Sequence, residues 1–446
     1  MNLLKAILAN EVFPAIGCTE PVSCAYAAAV AAERLGRPVE RVDVSVDLGT
    51  YKNGAAVVVP HTGGAKGNRI ASAVGAVLAR PAGRLQLLRD VTPEMVAEAR
   101  ALVDRGACTC AAVPGQTEFR VEARVEGGGR TVTCVLSEGH ANIERIECDG
   151  QTVEERPAGG ADSGLAYRRA LRHRTVADVL AEVEQVDDAD LAFLRDGVAM
   201  NLAMAERGWD VPGAAAQLRR MREVGVLADD LFHRVKTHVA AAVDARMAGV
   251  PEPVMTSGGS GNQGVMATLV PHLVGTERGI EADRIVRSIA VAHAMNAYVK
   301  VYMGELSAIC GCATGAGIAA AVAIVYQHAG IDAVRIAHAV NNVVGDLSGQ
   351  ICDGAKPGCS MKTVSGVDAA LRAAFMAIEG FGLSDDDGVL GATAEESIRN
   401  LGRVSLEGML QVDPMVVAIL ADKAARGAGA PAPGGARSAT RSGGGR

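Results

Sequence analysis

From residue 167 to about 425 the apolar residues recur at helical spacing between Gly and Pro breaks, with almost no two-residue alternation. Ala-rich runs at 231–247, 282–303, 314–329 and 336–344 call for helices that pack closely. Aromatics are only 3% of the chain and Trp occurs once, so the core must be built from Ala, Val, Leu and Ile. The first 160 residues have another texture. Residues 42–47 (VDVSVD) alternate strictly, and 55–60 is a second run with strand character. Residues 119–125 and 131–136 alternate on either side of Gly127-Gly128-Gly129, a hairpin signal, and 142–148 ends at an Asp149-Gly150 turn. Thr92 caps a helix begun by Pro93, and 21–35 and 69–78 read as helices. The fold class expected is an α+β N-terminal domain, residues 1–160, followed by a larger all-α catalytic domain, residues 161–425. Residues 157–164 (PAGGADSG) read as the linker. The Gly-, Ala-, Pro-, Ser- and Arg-rich stretch 426–446 reads as a disordered tail.

Charge narrows the function. A net charge of −7 argues against nucleic acid and against an anionic membrane surface as partners. The most apolar run, 315–326, is shorter than the ~20 residues of a membrane span and reads as a buried helix. Residues 1–9 are apolar but meet Glu11 without a cleavage pattern, so the ten Cys are expected as reduced thiols in the cytoplasm. A mean hydropathy of +0.18 implies much buried surface, as in a homodimer.

Four groups of residues could carry chemistry. Cys310 and Cys312 (AICGCATG) and Cys352 and Cys359 (QICDGAKPGC) are soft ligands of the kind iron–sulfur clusters and zinc take. Their spacing is neither a ferredoxin run nor a zinc ribbon, and buried Cys packing as small hydrophobes stands beside the ligand reading. Four thiolates would close a site; three would leave a metal position open. In GCTEP, residues 17–21, Thr19 reads as the cap of a helix whose N-terminus would favour a Cys18 thiolate; an ordinary cap is the plainer reading. Residues 256–264 (TSGGSGNQG) lack the Gly-Lys-Ser/Thr end of a phosphate loop and suit a carboxylate, or are a polar interhelical turn. Polar insertions at 59–68, at Lys52-Asn53 and at 138–142, which includes His140, could line a cleft.

The segments EVFPAIGCTEP, DLGTYKNG, VPHTGGAKG, TSGGSGNQG, ELSAICGCATG and GDLSGQICDGAKPGC together resemble the L-cysteine desulfidase family (UPF0597-like). That family is related to the α-subunit domain of iron–sulfur L-serine dehydratases, and the resemblance runs from about residue 3 to 423. It implies an oxygen-labile [4Fe-4S] cluster, no pyridoxal phosphate and a small amino acid substrate. The cluster thiolates would be Cys312, Cys352 and Cys359, with Cys310 an extra that points elsewhere, since residues two apart on a helix do not share a face. Cys18 would be the acid–base group. Thr19, Ser257, Ser260, Asn262, His140 and Lys52 would bind substrate. GCTEP stands where the dehydratases carry a Ser-rich SSSHT, which favours cysteine over serine. The implied activity is β-elimination of sulfide from L-cysteine to pyruvate and ammonia. The alternatives are L-serine dehydration, or a non-catalytic iron–sulfur sensor or amino-acid-binding protein.

Overall fold

The alternating segments form one mixed sheet in the computed structural model, which describes residues 2–156 and 166–428. After a short strand β1 (Pro14–Ile16), the sheet is built from β2 (Arg41–Val46), β3 (Cys108–Ala112), β4 (Arg120–Gly127), β5 (Arg130–Ser137), β6 (Ile143–Cys148) and β7 (Gln151–Glu155). Its order is β3-β2-β4-β5-β6-β7; β2 and β3 run parallel and the other pairs antiparallel. Val42, Val44 and Val46 point into the core, as strict alternation requires. Gly127 pairs with Arg130 across a turn in which Gly128 and Gly129 take φ of 57° and 73°, a conformation a two-residue hairpin demands.

The first helix, α1 (Leu3–Glu11), precedes β1, and four helices accompany the sheet: α2 (Thr19–Leu35), α3 (Leu48–Gly54), α4 (Asn68–Leu78) and α5 (Pro93–Asp104). Thr92 caps α5 by accepting from the Met95 amide. α2 and α4 cross where a Cβ on Gly75 would lie 2.0 Å from the Ala25 carbonyl, so a small residue is needed there. Residues 55–60 form no strand; only Val58 pairs with Lys66 as an isolated bridge, because α3 occupies the preceding turn.

The helical part comprises α6 (Ala166–Leu171), α7 (Val176–Ala181), α8 (Asp188–Gly208), α9 (Ala214–Glu223), α10 (Leu231–Met247), α11 (Gly261–Glu277) and α12 (Ala282–Met303). It continues with α13 (Ala316–Ala329), α14 (Ala333–Leu347), α15 (Cys359–Ile378), α16 (Ala394–Arg403) and α17 (Val412–Ala428). The apolar run is the central helix α13, whose residues from Ala316 to Val325 are fully enclosed. Gly311–Ala329 has the length and apolarity of a membrane span, but 83% of it is buried inside the fold.

Two departures from the sequence reading concern the boundary between the parts. The helical part is not strand-free: β8 (Pro253–Met255) pairs antiparallel with β1. Leu3, Leu4, Ile7 and Leu8 of α1 join the helical core rather than the core under the sheet. The chain therefore starts on the helical part and crosses to the sheet between β1 and α2. The proposed linker at 157–164 lies outside the described residues, as does the tail from 429 on; α17 runs to Ala428, past the expected end of the helical part.

Candidate active site

Cys310 and Cys352 meet because their loops are stapled together. The Cys310 amide donates to the Gln350 carbonyl and the Cys352 amide to the Ala308 carbonyl, both at 2.7 Å, and Ile309 faces Ile351 as an antiparallel bridge. Cys359 opens α15, and between it and Cys352 the loop is pinned at Asp353, which Lys356 (2.5 Å) and Lys362 both hold. Cys312, Cys352 and Cys359 thus line one cavity, and so does Cys310. The expectation that Cys310 points elsewhere fails. It rested on a helix through 310–312, whereas Cys310 is extended (φ −67°, ψ 102°) and precedes a π-type turn at Gly311–Gly315. Cys310 and Cys312 share a hydrogen bond, which draws the Cys310 thiol below its ordinary range and pushes that of Cys312 up. A Cβ on Gly311 would meet Gln263 at 2.8 Å, and one on Gly354 (φ 96°) the Lys52 carbonyl at 2.4 Å. Gly354 is required by its backbone approach and its φ, whereas at Gly311 the Gln263 amide would have to shift.

The opposite wall is the N-terminus of α2. Cys18, not Thr19, is the cap, and it makes no side-chain capping bond. Its thiol donates to Glu20 Oε2 at 3.0 Å. Burial, then the charge of Glu20, pushes the Cys18 thiol well up, with Arg246 opposing. The expected thiolate at a helix end is therefore overturned: enclosure and an adjacent carboxylate outweigh the helix dipole. Glu20 itself accepts from Asn53 Nδ2 (2.9 Å) and Thr19 Oγ1 (3.2 Å). Burial raises its carboxyl, but His140, Cys18 and Asn53 together hold it below the usual range. His140 lines the same cavity with its Nε2 buried and unpaired. Burial lowers the pKa of its imidazole even though Glu305 and Glu20 pull the other way.

The Gly-rich loop supplies the third wall, but only in part. Ser260 and Asn262 face the cavity; Ser260 caps α11 without using its hydroxyl for a capping bond. Ser257 turns away into the helical core, fully buried, bonded to His293 Nδ1 (3.0 Å) and Asn296 Nδ2 (3.1 Å). Lys52 is also misplaced by the sequence reading. Its ammonium lies behind the cysteine loop, 2.6 Å from Asp413 and 3.0 Å from the Cys352 carbonyl, so it fastens α17 and the loop rather than meeting substrate.

Arg246 is what the sequence reading missed. It projects from α10, 3% exposed, gives Nη1 to Asn262 and Nη2 to the Gly17 carbonyl (2.8 Å), and keeps its Nε buried without a partner. Burial lowers its pKa against the pull of Cys18, Cys312, Glu20 and Cys359. A Cβ on Gly261 would lie 2.2 Å from its guanidinium, which explains that glycine. The signal was a charge inside the Ala-rich run AAAVDARM. The N-termini of α2, α11 and α15 also converge on the cavity, adding partial positive charge.

Glu305, missed as well, ties the rim together through Arg168 (2.8 Å), Lys300 (3.2 Å) and His140 (3.5 Å). Burial raises its carboxyl, but these cations bring it to about 2 from 4.5. A depressed folded-state pKa stabilises above the unfolded value and loses that contribution as pH falls. Between pH 4.5 and 2 the parent chain is thus expected to lose about 3 kcal/mol more stability than Glu305→Gln. Denaturation measured across that range checks this, and parallel curves would refute it.

The family model for the serine dehydratase alpha chain matches residues 82–418, so it takes in β3 to β7 as well as the helical part. A UPF0597 protein of Geobacter sulfurreducens is 47% identical over 425 residues, covering 95% of this chain and 99% of that one. One from Elusimicrobium minutum is 41% identical, covering 95% and 100%, and one from Clostridium tetani 34%, covering 95% and 99%. With the six motifs in order and matches of this length, the chain belongs to the UPF0597 family, related to the serine dehydratase alpha chain.

Proposed function

We propose that the protein is an L-cysteine desulfidase, eliminating sulfide from L-cysteine to give pyruvate and ammonia. The observation that supports this most is that four free thiols line one cavity together with Cys18, Glu20 and Arg246. The residues fit the [4Fe-4S] cluster implied by the relationship to iron–sulfur serine dehydratases. Thiols from three chain segments converge, with glycines wherever the backbone is crowded. Among the described residues no three His, Cys, Asp or Glu side chains close on a single metal ion. A cluster, whose irons are spread out, asks for more widely spaced thiols than one ion does. Cys312, Cys352 and Cys359 would hold it. When bound, the cluster supplies Lewis acidity that makes the substrate sulfur a better leaving group.

The protein's own groups do the rest. Arg246 Nε, the Ser260 hydroxyl and the helix amides take the substrate carboxylate, which makes the Cα proton more acidic. Cys18 stands as a thiol already donating to the Glu20 carboxylate, so it accepts the Cα proton as its own passes to Glu20 Oε2. Loss of that proton and of the Cβ–S bond leaves 2-aminoacrylate, which takes up water to give pyruvate and ammonia.

The test is anaerobic purification, iron–sulfide reconstitution, and an assay of pyruvate and sulfide with L-cysteine and L-serine in competition. Equimolar pyruvate and sulfide with cysteine preferred is the expected result. Preference for serine would make the protein a dehydratase, the reading favoured by the name of the matching family. Absence of pyruvate from either would leave a binding protein or sensor. Cys18→Ser should keep the cluster absorbance and lower kcat by at least ~10²-fold; turnover at the parent rate would remove Cys18 from the mechanism.

A further inference from the structure

A second cavity, of about 520 Å³, lies beside the first and shares with it a wall made of His140 and Glu305. It is bounded by the 81–90 segment, the 138–142 loop and the end of α1. Two of its lining residues, Arg84 and Glu138, hold left-handed backbones without being glycine, with φ of 46° and 58°. Such conformations cost on the order of 1–3 kcal/mol each and persist where the surroundings impose them, often at ligand sites. These two also carry opposite charges that are not used on each other or on any neighbouring ion. Among the described residues neither forms an ion pair, although Arg84 reaches the Ala141 carbonyl at 3.5 Å over the 138–142 loop. Of the other charged lining groups, Glu305 is spent on Arg168, Lys300 and His140, and Arg168 also on Glu11. Arg89, which donates to Gln86, and Asp90 form no ion pair among the described residues and add one further charge of each sign.

We propose that this cavity is a docking site for a zwitterionic amino acid, an antechamber to the thiol cavity. Arg84 takes the carboxylate and Glu138 the ammonium, with no demand on the side chain. Unpaired charges of both signs on one cavity suit an α-amino acid better than a simple acid or amine, each of which would answer only one sign. The shared wall places such a molecule one step from Cys18 and Arg246, and the His140–Glu305 contact is what it must pass. The choice of an amino acid as ligand rests on the function proposed above; the cavity, the strain and the unpaired charges do not.

The probe is L-alanine, which has the zwitterion and no leaving group, measured by calorimetry on the full chain. Binding by the parent should weaken at least ~10-fold in Arg84→Gly and in Glu138→Gln, while propionate and ethylammonium bind neither variant nor parent measurably. Arg84→Gly should also raise the thermal midpoint, because glycine adopts the left-handed backbone without strain. That separates loss of a ligand contact from loss of fold. L-alanine binding equal in parent and variants, or none in the parent, overturns the proposal. A chain that binds L-alanine through Arg84 yet makes no pyruvate keeps this site and loses the desulfidase reading. Pyruvate formation together with Arg84-independent binding does the reverse.

Discussion

Cys352→Ser should leave a folded chain without iron–sulfur absorbance and without turnover, the largest effect expected of any single change. Cys352 sits where two loops are stapled, and its amide, not its thiol, makes the bond to Ala308 that holds them. The thiol makes only a long contact to Asn53 Oδ1 at 3.7 Å, so serine costs the fold little. A serine hydroxyl is a poor ligand for iron compared with a thiolate. Iron and acid-labile sulfide per chain after anaerobic reconstitution, together with circular dichroism, measure both halves. Normal iron content in Cys352→Ser would remove this cysteine from the ligand set. The same measurement on Cys310→Ser decides whether the fourth thiol is needed to retain iron.

Arg246→Met is the second. It is expected to lower kcat/KM on the order of 10³-fold, about 4 kcal/mol, because a desolvated guanidinium facing a substrate carboxylate is lost. Stability should fall as well, by about 1–3 kcal/mol, since the buried Gly17 carbonyl and Asn262 amide lose their donor. Cluster absorbance should persist, as Arg246 contributes no ligand. Arg246→Lys keeps the charge without the planar fork and should recover only part of the rate. A methionine variant with parent kcat/KM would place the carboxylate elsewhere, and a cluster-free one would make Arg246 a structural support of the thiols.

Much of this protein follows from the order of its residues. The period-two pattern in 42–47, the glycines between β4 and β5, the Thr92–Pro93 cap and the Ala-rich runs produce the elements expected of them. These are local effects of backbone sterics, capping and burial, and they need no distant partner. The motifs around Cys18, Ser260, Cys312, Cys352 and Cys359 also lie on one cavity, as their resemblance to a known family implied.

Which side chains within those motifs face the cavity was decided only by the tertiary structure. Cys310 turns in because a bridge to residue 351 holds it extended, while Ser257 turns out because His293 and Asn296 of α12 offer its hydroxyl partners. Lys52 is taken by Asp413, 361 positions away, and Cys18 keeps its proton because Glu20 and full burial outweigh the helix end. Arg246 enters from the last turn of α10, where the sequence shows only a charge in an apolar run. Spacing assigns a face once the backbone conformation is known. Neither that conformation in a glycine-rich loop nor the desolvation and charge around a buried group is local; both arise from segments brought together by folding.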